Sequence, residues 1–325
     1  MRAIIPVAGL GSRLRPHTFS RPKVLLNVAG KPILGHILDR IIADGITAVT
    51  IVVGYLGEMV EEYVRTNYGI DAIFVQQPEP LGLGHSIFLA RNTFEENEPL
   101  LIILGDTIFD VDLRSVFSGP NSSIGVKSVD DPSRFGVVEL KKNFIERLVE
   151  KPEHPISNLA VVGIYYIMNA PLLTSCLSDV IAKNIRTKGE YQLTDALQMM
   201  VDRGEKITTF HVDGWLDCGK PETLLSTNRY LLDRKSSSRK IADVVVIPPV
   251  YVAPTAEVTH SVIGPYATIA DGAVVNNSII RNSIIDEKAQ VMKSLLDNSI
   301  VGANAAVKGS FKRINAGDSS EIDFY

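Results

Sequence analysis

Apolar runs alternate with helical stripes over the first part of the chain. An uninterrupted apolar run predicts a strand buried on both faces, whereas apolar positions three and four apart predict an amphipathic helix. The predicted strands are AIIPVA at 3–8, AVTIVV at 48–53, AIFV at 72–75 and LLIILGD at 100–106, with predicted helices at 33–42, 58–65 and 84–94 between them. Strands separated by helices of this length predict a doubly wound parallel sheet.

Two chemically distinctive stretches follow strands of this predicted sheet. Gly9–Arg13 comes after the first strand, and Asp106 ends the run at 100–106. Ligands of such sheets bind at the carboxyl ends of the strands. We therefore expect both stretches to face one crevice.

The middle of the chain has a more antiparallel pattern. Four strand-like runs follow one another between 123 and 168, and TDALQMMVDRG at 194–204 predicts a helix that ends at Gly204. PETLLSTNRYLLDRK at 221–235 predicts a last long helix. The polar stretch KSSSRK at 235–240 has few apolar residues and predicts a joint between domains.

Beyond this joint the hydrophobic period changes. Apolar residues recur at steps of five or six, separated by turn-forming stretches such as IADGAV and RNSIID. Such steps are too long for a helical face and are typical of a hexapeptide β-helix, with an irregular β-sandwich as the alternative. The apolar positions are Val252, Val258, Ile263, Ile269, Val275, Ile280, Ile285, Val291, Leu296, Val301 and Val307. With three faces per coil they predict about three coils.

Composition narrows the classes of partner. A net charge of −4 leaves no basic surface for nucleic acid or an anionic membrane, so any anion site must be local. Cys176 and Cys218 have no C-x-x-C partner, which favours free thiols and a cytoplasmic location. Residues 155–178 carry no charge and are long enough to span a bilayer. Their asparagine, glycine and proline residues instead favour a buried strand followed by a helix.

The loop between residues 7 and 23 points to phosphate chemistry. Gly9 and Gly11 are spaced as in a dinucleotide-binding loop, but the third glycine of that motif is missing. Backbone N–H groups near the glycines can form an anion-binding nest. Arg13 offers a planar guanidinium that can bind phosphate through two N–H groups, and Lys23 offers an ammonium group on a flexible side chain. Two cations beside a polyphosphate neutralise the charge that its oxygens gain in a transition state.

Four further charged residues are candidates for binding a metal or a sugar. Mg²⁺ prefers carboxylate oxygens, so Asp106 in LGDTIFD and Asp217 in GWLDCG are candidate ligands, with a helix cap or a surface acid as the alternative. Glu150 and Lys151 are adjacent in VEKP. Neighbouring strand residues point to opposite faces, so both reach one ligand only if the chain bends, which we expect at Pro152. A surface ion pair is the alternative.

The ordered motifs resemble those of the sugar-1-phosphate nucleotidyltransferases, in particular the glucose-1-phosphate thymidylyltransferases and their uridylyltransferase relatives. GLGSRLRPHTFSRPKVLLNVAGKPIL is similar to the family signature G-x-G-x-R-L-x-P-x-T-x-x-x-P-K-x-L-L-x-V-x-x-K-P. QQPEPLGLGHS, LGDTIFD, RFGVVEL, VEKP, AVVGIYY, GEYQLTDAL and WLDCG follow in the family's order, so the resemblance covers roughly residues 1–233.

The resemblance implies an α/β fold, with a Rossmann-like mixed-sheet domain at 1–235, a linker at 236–242 and a left-handed β-helix with its tail at 243–325. It also implies that a sugar 1-phosphate, with glucose 1-phosphate favoured, attacks the α-phosphorus of a nucleoside triphosphate, with dTTP or UTP favoured. The implied cofactor is Mg²⁺. The implied nucleotide site is Gly9, Gly11, Arg13, Lys23, Gln77, Gly82 and Asp106, with Arg13 and Lys23 catalytic; the sugar-phosphate site is Gly136, Glu150, Lys151, Val162 and Lys188; the metal ligands are Asp106 and Asp217.

Three residues depart from the family pattern. Gly84 stands where alanine is frequent, beside the base site. Phe135 replaces a frequent tyrosine and removes a hydroxyl from the sugar side. Lys188 stands where close thymidylyltransferases carry arginine near the sugar phosphate, so an ammonium group replaces a bidentate guanidinium.

Several alternatives stay open at this point. One alternative is a catalytically silent, nucleotide-sugar-binding regulatory subunit that keeps the fold. Another is a nucleotidyltransferase that uses GTP or CTP with another sugar phosphate. An NAD oxidoreductase is disfavoured by the missing glycine and the absent ribose acid. The β-helix contains one histidine, His260, for which we expect no acyl-transfer role. We expect this domain to drive homo-oligomerisation.

Overall fold

The described part of the chain, residues 1–95, 97–234 and 240–309 of a computed structural model, has an α/β region followed by short parallel strands. The helices are α1 (Ile33–Ala43), α2 (Gly57–Asn67), α3 (Leu83–Leu89), α4 (Leu113–Phe117), α5 (Ala170–Ala182), α6 (Leu193–Asp202) and α7 (Pro221–Arg234). The strands up to position 217 are β1 (Arg2–Pro6), β2 (Asn27–Val28), β3 (Lys31–Pro32), β4 (Ala48–Val53), β5 (Asp71–Gln76), β6 (Leu100–Ile103), β7 (Thr107–Asp110), β8 (Ser122–Ser128), β9 (Gly136–Lys141), β10 (Phe144–Glu150), β11 (Leu159–Ile167), β12 (Ile207–His211) and β13 (Gly214–Asp217).

The chain forms two compact units. The first consists of Met1–Leu26 and Lys31–Thr227, and the second of Asn27–Gly30 and the residues from Asn228 onward. This grouping differs from the limits expected from the sequence, because a four-residue segment near the start belongs with the second unit and the last change of unit falls within α7. Residues 236–239 of the expected linker and the tail at 310–325 lie outside the described residues.

A mixed nine-stranded sheet forms the frame of the first unit. Its order is β10-β9-β11-β6-β1-β4-β5, with β8 also paired to β11 and β12 paired to β8. Strands β6, β1, β4 and β5 are parallel, as their alternation with helices predicts. Strands β8 to β11 pair antiparallel with their neighbours in the sheet, apart from the parallel contact of β8 with β12. The predicted α/β class with a Rossmann-like mixed sheet is confirmed.

Burial follows the apolar pattern of the sequence. Consecutive residues of β1, β4 and β6 have no exposed surface, so these strands are covered on both faces. The pairs are Ile4–Ile5, Ile51–Val52 and Leu100–Leu101. The predicted stripe of α1 is buried at positions 33, 34, 37, 38 and 41. Each such side chain contributes about 1.5–3 kcal/mol of transfer free energy. These contacts fix the strand ends from which the candidate site is built.

A two-stranded ribbon brings two acidic segments side by side. Strands β7 and β13 pair antiparallel, with Asp217 opposite Thr107. Asp106 occupies the turn between β6 and β7, and the backbone N–H of Cys218 donates to its carbonyl oxygen at 3.0 Å. The ribbon therefore holds Asp106 and Asp217 at adjacent positions.

The uncharged stretch at 155–178 folds as its small and polar residues predict. It contains the buried strand β11 and the start of α5, whose N-cap Asn169 accepts a hydrogen bond from the backbone N–H of Leu172 at 3.1 Å. Within the described ranges, no helix has both the length and the apolar character that a membrane crossing needs.

The second unit contains a β-helix, as the period of five or six residues predicts, and it is left-handed, as the resemblance implies. Its strands are β14 (Val244–Val246), β15 (Val250–Val252), β16 (Glu257–Thr259), β17 (Ser261–Ile263), β18 (Ala267–Ile269), β19 (Val274–Asn276), β20 (Ile279–Arg281), β21 (Ile284–Ile285), β22 (Gln290–Met292), β23 (Leu295–Asp297), β24 (Ile300–Val301) and β25 (Ala306–Lys308). They form three parallel four-stranded sheets, so there are about four coils instead of the predicted three. The difference arises because the pattern is counted from Val252, whereas the first strand lies before it and ends at Val246, six residues earlier.

Candidate active site

The loop after β1 folds back against Lys23. Gly11 has a φ of +61°, and a side chain added there would bring its Cβ to 3.0 Å from both Lys23 Cβ and Thr18 Cγ2. The hydroxyl of Thr18 donates to the carbonyl oxygen of Gly11 at 2.9 Å. Gly11 is therefore required by both its conformation and the close approach of Lys23.

Lys23 and Asp106 form an ion pair where two neighbouring strands end. The Nζ of Lys23 lies 2.5 Å from Oδ2 of Asp106, and the lysine side chain is only 11% exposed. Strands β1 and β6 are parallel neighbours, and the N–H of Gly105 donates to the carbonyl oxygen of Pro6 at 3.3 Å. The structure thus brings the loop after β1 and the acid after β6 together, as the rule for strand ends predicts.

Asp217 and Arg13 converge on Gly219. A Cβ added to this glycine would lie 2.8 Å from Oδ1 of Asp217 and 3.1 Å from Nη2 of Arg13. Asp217, Arg13 and Asp106 all line one cavity. The two carboxylates that the sequence singled out as metal ligands therefore face the same space as the arginine of the loop.

The pair of carboxylates fits a divalent cation that is shared with a substrate. No group of three or more His, Cys, Asp or Glu side chains suited to a metal occurs within the residues described. Mg²⁺ commonly takes only one or two protein carboxylates and completes its coordination with water and substrate phosphates. Asp106 and Asp217 match that type of site better than a closed protein cage.

Cys218 lies between these acids but supplies no nucleophile. It is fully buried, its Sγ is 3.5 Å from the hydroxyl of Thr227, and burial raises the pKa of its thiol to about 12. At neutral pH the thiol is protonated, whereas thiol chemistry needs the thiolate.

Two adjoining cavities make up the candidate site. One, here called the loop-side cavity, has a volume of about 370 Å³ and is lined by Gly9, Lys23, Gln77 and Gly82 among others. The other, the strand-side cavity, has a volume of about 340 Å³. Volumes of this size suit small-molecule ligands. The two cavities share the lining residues Leu83, Leu104, Asp106, Glu150, Lys151 and Gln192.

Gln77 and Gly82 form one end of the loop-side cavity. The amide Nε2 of Gln77 donates to the carbonyl oxygen of Gly82 at 3.2 Å and lies 3.1 Å from Nδ1 of His85. Gly82 has a φ of +109°, and a Cβ there would be 2.6 Å from the carbonyl oxygen of Tyr191. Burial lowers the pKa of His85, which favours the neutral ring.

Glu150 and Lys151 both line the two cavities. Strand β10 ends at Glu150, and Lys151 adopts a φ of +43°, so the bend expected at Pro152 occurs one residue earlier. Their side chains pair at 3.2 Å, and the hydroxyl of Thr194 donates to Oε2 of Glu150 at 2.8 Å. Glu150 is 11% exposed and Lys151 45%, so the pair is covered at its carboxylate and open to solvent at its ammonium.

Gly136 and Val162 line the strand-side cavity, whereas Gly11 and Lys188 line neither of the two cavities. The exposed ammonium of Lys188 lies 3.3 Å from the exposed carboxylate of Glu153. Phe135, which replaces the frequent tyrosine, packs edge-to-face on Trp215 with ring centroids 4.8 Å apart.

Sequence reasoning missed several residues of the strand-side cavity, three of which lie within its own motifs. Thr194, Trp215 and Gln192 line it, although each stands within a motif that the resemblance used. The indole Nε1 of Trp215 is buried and has no hydrogen-bond partner in the ranges that the structure describes. One signal was available, because residues two apart on a strand share a face and Trp215 is two residues before Asp217.

Comparisons with known proteins show to which family the chain belongs. The profile of the family described as "Nucleotidyl transferase" matches residues 2–234. A glucose-1-phosphate thymidylyltransferase of Streptomyces antibioticus is 29% identical over 99% of both chains, and the bifunctional protein GlmU of Methanocaldococcus jannaschii is 35% identical over 94% of this chain and 78% of its own. A solved structure of a putative glucose-1-phosphate thymidylyltransferase from Bacillus anthracis is 28% identical, with a TM-score of 0.62 over 74% of this chain and 98% of that one. A UDP-glucose pyrophosphorylase solved with UDP-glucose is 25% identical, with a TM-score of 0.62 over 72% and 98%.

Proposed function

The chain belongs to the nucleotidyl transferase family and is a sugar-1-phosphate nucleotidyltransferase, and we propose that it uses dTTP or UTP and glucose 1-phosphate. The observation that carries this proposal is the set of charged groups around the two adjoining cavities. Arg13, Lys23 and Lys151 supply positive charge, and Asp106 and Asp217 supply carboxylates.

The proposed reaction is an in-line displacement at the α-phosphorus. An oxygen of the sugar phosphate forms the new bond to phosphorus, and the bond to the bridging oxygen breaks as pyrophosphate leaves with the electron pair. The attacking phosphate is already ionised, so no protein group has to remove a proton. Arg13 and Lys23 stabilise the charge on the triphosphate oxygens, and positioning supplies much of the rate.

Asp106 and Asp217 are the proposed ligands of Mg²⁺, which when bound neutralises negative charge on the phosphate oxygens. Lys23 Nζ lies 2.5 Å from Oδ2 of Asp106, so this ion pair keeps the lysine ammonium beside the proposed metal site. Lys23 is thereby positioned for a phosphate oxygen that approaches the same carboxylate.

The proposed nucleotide site is the loop-side cavity and the proposed sugar site is the strand-side cavity. Gln77 and Gly82 contact the base, and Gly9 leaves space for the phosphates. Gly11, which lines neither cavity, supports this site through the fold of the loop. Glu150, fixed by Thr194, accepts hydrogen bonds from sugar hydroxyls, and Gly136 and Val162 line the sugar. Lys151 binds the sugar phosphate. A role for Lys188 stays a prediction, since its ammonium pairs outside both cavities.

Pyrophosphate release tests this function directly. Wild-type protein is assayed with Mg²⁺, glucose 1-phosphate and each of dTTP, UTP, GTP, CTP and ATP, and we expect release to be fastest with dTTP or UTP. Lys23→Ala should lower kcat by about 100-fold or more, because it removes a charge that stabilises the transition state.

Lys31→Ala is the matched control. Lys31 is also an ion-paired lysine, with Asp39 as its partner, but it lines neither cavity. Its activity should stay near that of the wild type. Nucleotide binding without release from any substrate pair would instead favour the silent regulatory subunit, and preference for GTP or CTP would revise the base.

We further propose that the enzyme self-associates through its β-helix. Val245, Val262, Ile279 and Leu295 occupy paired outward positions on the sheet of β14, β17, β20 and β23, and we call them the aliphatic ladder. Leu295 is 68% exposed and Val245 58%, and contiguous apolar surface of this kind marks interaction sites. The proposed occupant is the same face of a second copy. The cytoplasm is the proposed location, supported by the two buried free cysteines.

A further inference from the structure

Ser86 is buried in the wall of the loop-side cavity without a hydrogen-bond partner. It lies in α3, is 2% exposed, and its Oγ accepts and donates no hydrogen bond within the described chain. Buried hydroxyls in folded proteins nearly always have a partner, so an orphan calls for a physical reason. Ser86 lines the cavity together with Gln77 and Gly82.

The usual internal partner of this hydroxyl is already occupied. A helical serine commonly donates to the carbonyl oxygen four residues earlier, which here is that of Gly82. That oxygen accepts from the backbone N–H of Ser86 at 3.1 Å and from Nε2 of Gln77 at 3.2 Å. A carbonyl oxygen has two lone pairs, so both are used and Ser86 must find its partner elsewhere.

The same contacts fix the polarity of Gln77. A carbonyl oxygen only accepts, so the atom that faces Gly82 must be the amide nitrogen, and the neutral ring of His85 can accept the second amide hydrogen at Nδ1. Oε1 is therefore the group of Gln77 left for a ligand, and no donor bonds it in the part of the chain that is described. The cavity wall thus carries a fixed acceptor and a free hydroxyl.

We propose that Ser86 is a specificity residue for the nucleotide base, donating to a base carbonyl oxygen while Oε1 of Gln77 accepts from the adjacent ring N–H. Uracil, thymine and guanine present this carbonyl and N–H pair, whereas cytosine and adenine present an amino group and an unprotonated nitrogen. The inference rests on the proposed function and adds a residue to which the resemblance gives no role.

Rejection of the wrong base follows from the fixed acceptor. An unprotonated ring nitrogen opposite Oε1 of Gln77 leaves two acceptors facing each other. In cytosine and adenine an amino group also replaces the carbonyl oxygen to which Ser86 donates in uracil, thymine or guanine. Sites whose polar groups stay unpaired discriminate strongly against the wrong ligand. Ser86 should therefore contribute to selection against CTP and ATP as well as to affinity.

The chain offers a matched control in Ser123. Its Oγ is the other buried serine hydroxyl without a partner in the described ranges, but it lies in β8 and lines neither cavity. Ser123→Ala and Ser86→Ala each remove one buried hydroxyl oxygen that has no partner in the described ranges. A general effect of deleting an orphan hydroxyl would appear in both variants.

The experiment compares wild type, Ser86→Ala and Ser123→Ala in triphosphate binding by calorimetry and in steady-state turnover. We expect Ser86→Ala to raise the Kd and KM for dTTP or UTP about tenfold, with a smaller change in kcat, and to narrow the preference over CTP. The KM for glucose 1-phosphate should stay near its wild-type value, and the melting temperature should not fall. Ser123→Ala should match the wild type in all of these measurements.

Unchanged triphosphate binding by Ser86→Ala, in a protein whose wild type binds and turns over, overturns this inference and leaves the proposed function standing. An equal loss for all five triphosphates also overturns it, because the effect would then be on the packing of α3. A wild type that binds no triphosphate overturns both.

Discussion

Lys151 shows how a single residue shapes the candidate site. Its φ of +43° is left-handed, which costs a residue with a side chain about 1–2 kcal/mol. Its backbone N–H donates to the carbonyl oxygen of Phe135 at 3.0 Å and holds this turn. A straight strand would send Glu150 and Lys151 to opposite faces. The turn instead lets both side chains line the two cavities, which fits the proposed contact of Lys151 with the sugar phosphate.

Asp195 gives a prediction with a defined pH dependence. Burial, with a smaller effect from the charge of Glu150, raises the pKa of this carboxyl, which accepts a hydrogen bond from the hydroxyl of Thr187 at 2.9 Å. A raised folded-state pKa means that the folded protein holds the proton more tightly, so stability falls as pH rises through the unfolded and then the folded pKa. Asp195→Asn keeps an acceptor for Thr187 and removes the charge. Its melting temperature should exceed that of the wild type at pH 7, and the gap should close in acid.

Asp202→Asn is the control for that measurement. Asp202 is exposed and lies in the same helix, so Asp202→Asn removes a carboxylate of that helix without removing a buried charge. A gap for Asp195→Asn that stays constant from pH 7 to strong acid would show that the buried charge is not its cause.

At the residue scale, the sequence predicts which side chains can bind phosphate or metal better than it predicts which atoms are in contact. Arg13, Lys23, Asp106 and Asp217 were identified because their residue types and positions after strands point to phosphate and metal. Ser86 was missed because nothing in LGLGHS tells which hydroxyl is buried or that Gly82 has no free lone pair. Such facts depend on atoms that folding brings together.

The start of α3 is fixed by a close contact with the segment before α6. The N–H of Gly84 donates to the carbonyl oxygen of Tyr191 at 2.8 Å, and the N–H of Tyr191 donates to the carbonyl oxygen of Leu81 at 2.9 Å. A Cβ on Gly84 would lie 2.9 Å from the carbonyl oxygens of both Tyr191 and Gln192. This contact explains why glycine stands where alanine is frequent in the family.

Gly84→Ala should therefore displace α3 from its neighbour. Overpacking against backbone costs about 1–3 kcal/mol, so we expect a lower free energy of unfolding in denaturant titrations and a higher KM for the triphosphate. Gly69→Ala is the control, because a Cβ there meets no atom within 4 Å and the residue is not in the left-handed region. Equal stability of the two variants would mean that the Gly84 contact relaxes without cost.

Whole elements were the most predictable level of the fold. The strand at 48–53 has the predicted limits, and the stripe of α1 is buried as predicted except at Ile42, which is partly exposed. The helix expected at 84–94 ends at Leu89 and continues as a 3-10 turn from Ala90 to Thr93, where the threonine hydroxyl donates to the carbonyl oxygen of Ala90 at 2.7 Å. Such local competition with the helical pattern is not visible in apolar periodicity.

On the scale of the whole molecule, the chain contributes two separate segments to the second unit. Within that unit Asn228 joins these segments, because its Oδ1 accepts from the backbone N–H of Ala29 at 2.8 Å and from the hydroxyl of Thr268 at 2.7 Å. Gly30 is equally constrained, since a Cβ there would lie 2.4 Å from the ring of Tyr251. These partners are distant in sequence, so no local pattern predicts them. Deleting residues 241–325 would remove partners of both segments, so point substitutions are the better probe of this unit.

Leu295→Asp tests the proposed self-association without disturbing that packing. The side chain is 68% exposed and outward, so the variant should keep the melting temperature of the wild type. In a symmetric dimer one substitution removes two copies of a leucine, each worth about 1.5–3 kcal/mol when buried, and adds two like charges. We expect sedimentation velocity at micromolar concentration to show an oligomer for the wild type and a monomer for Leu295→Asp. Gln290→Asp, exposed on a different face of the β-helix, should remain oligomeric. A monomeric wild type would contradict self-association, and an oligomeric Leu295→Asp would place the interface away from the aliphatic ladder.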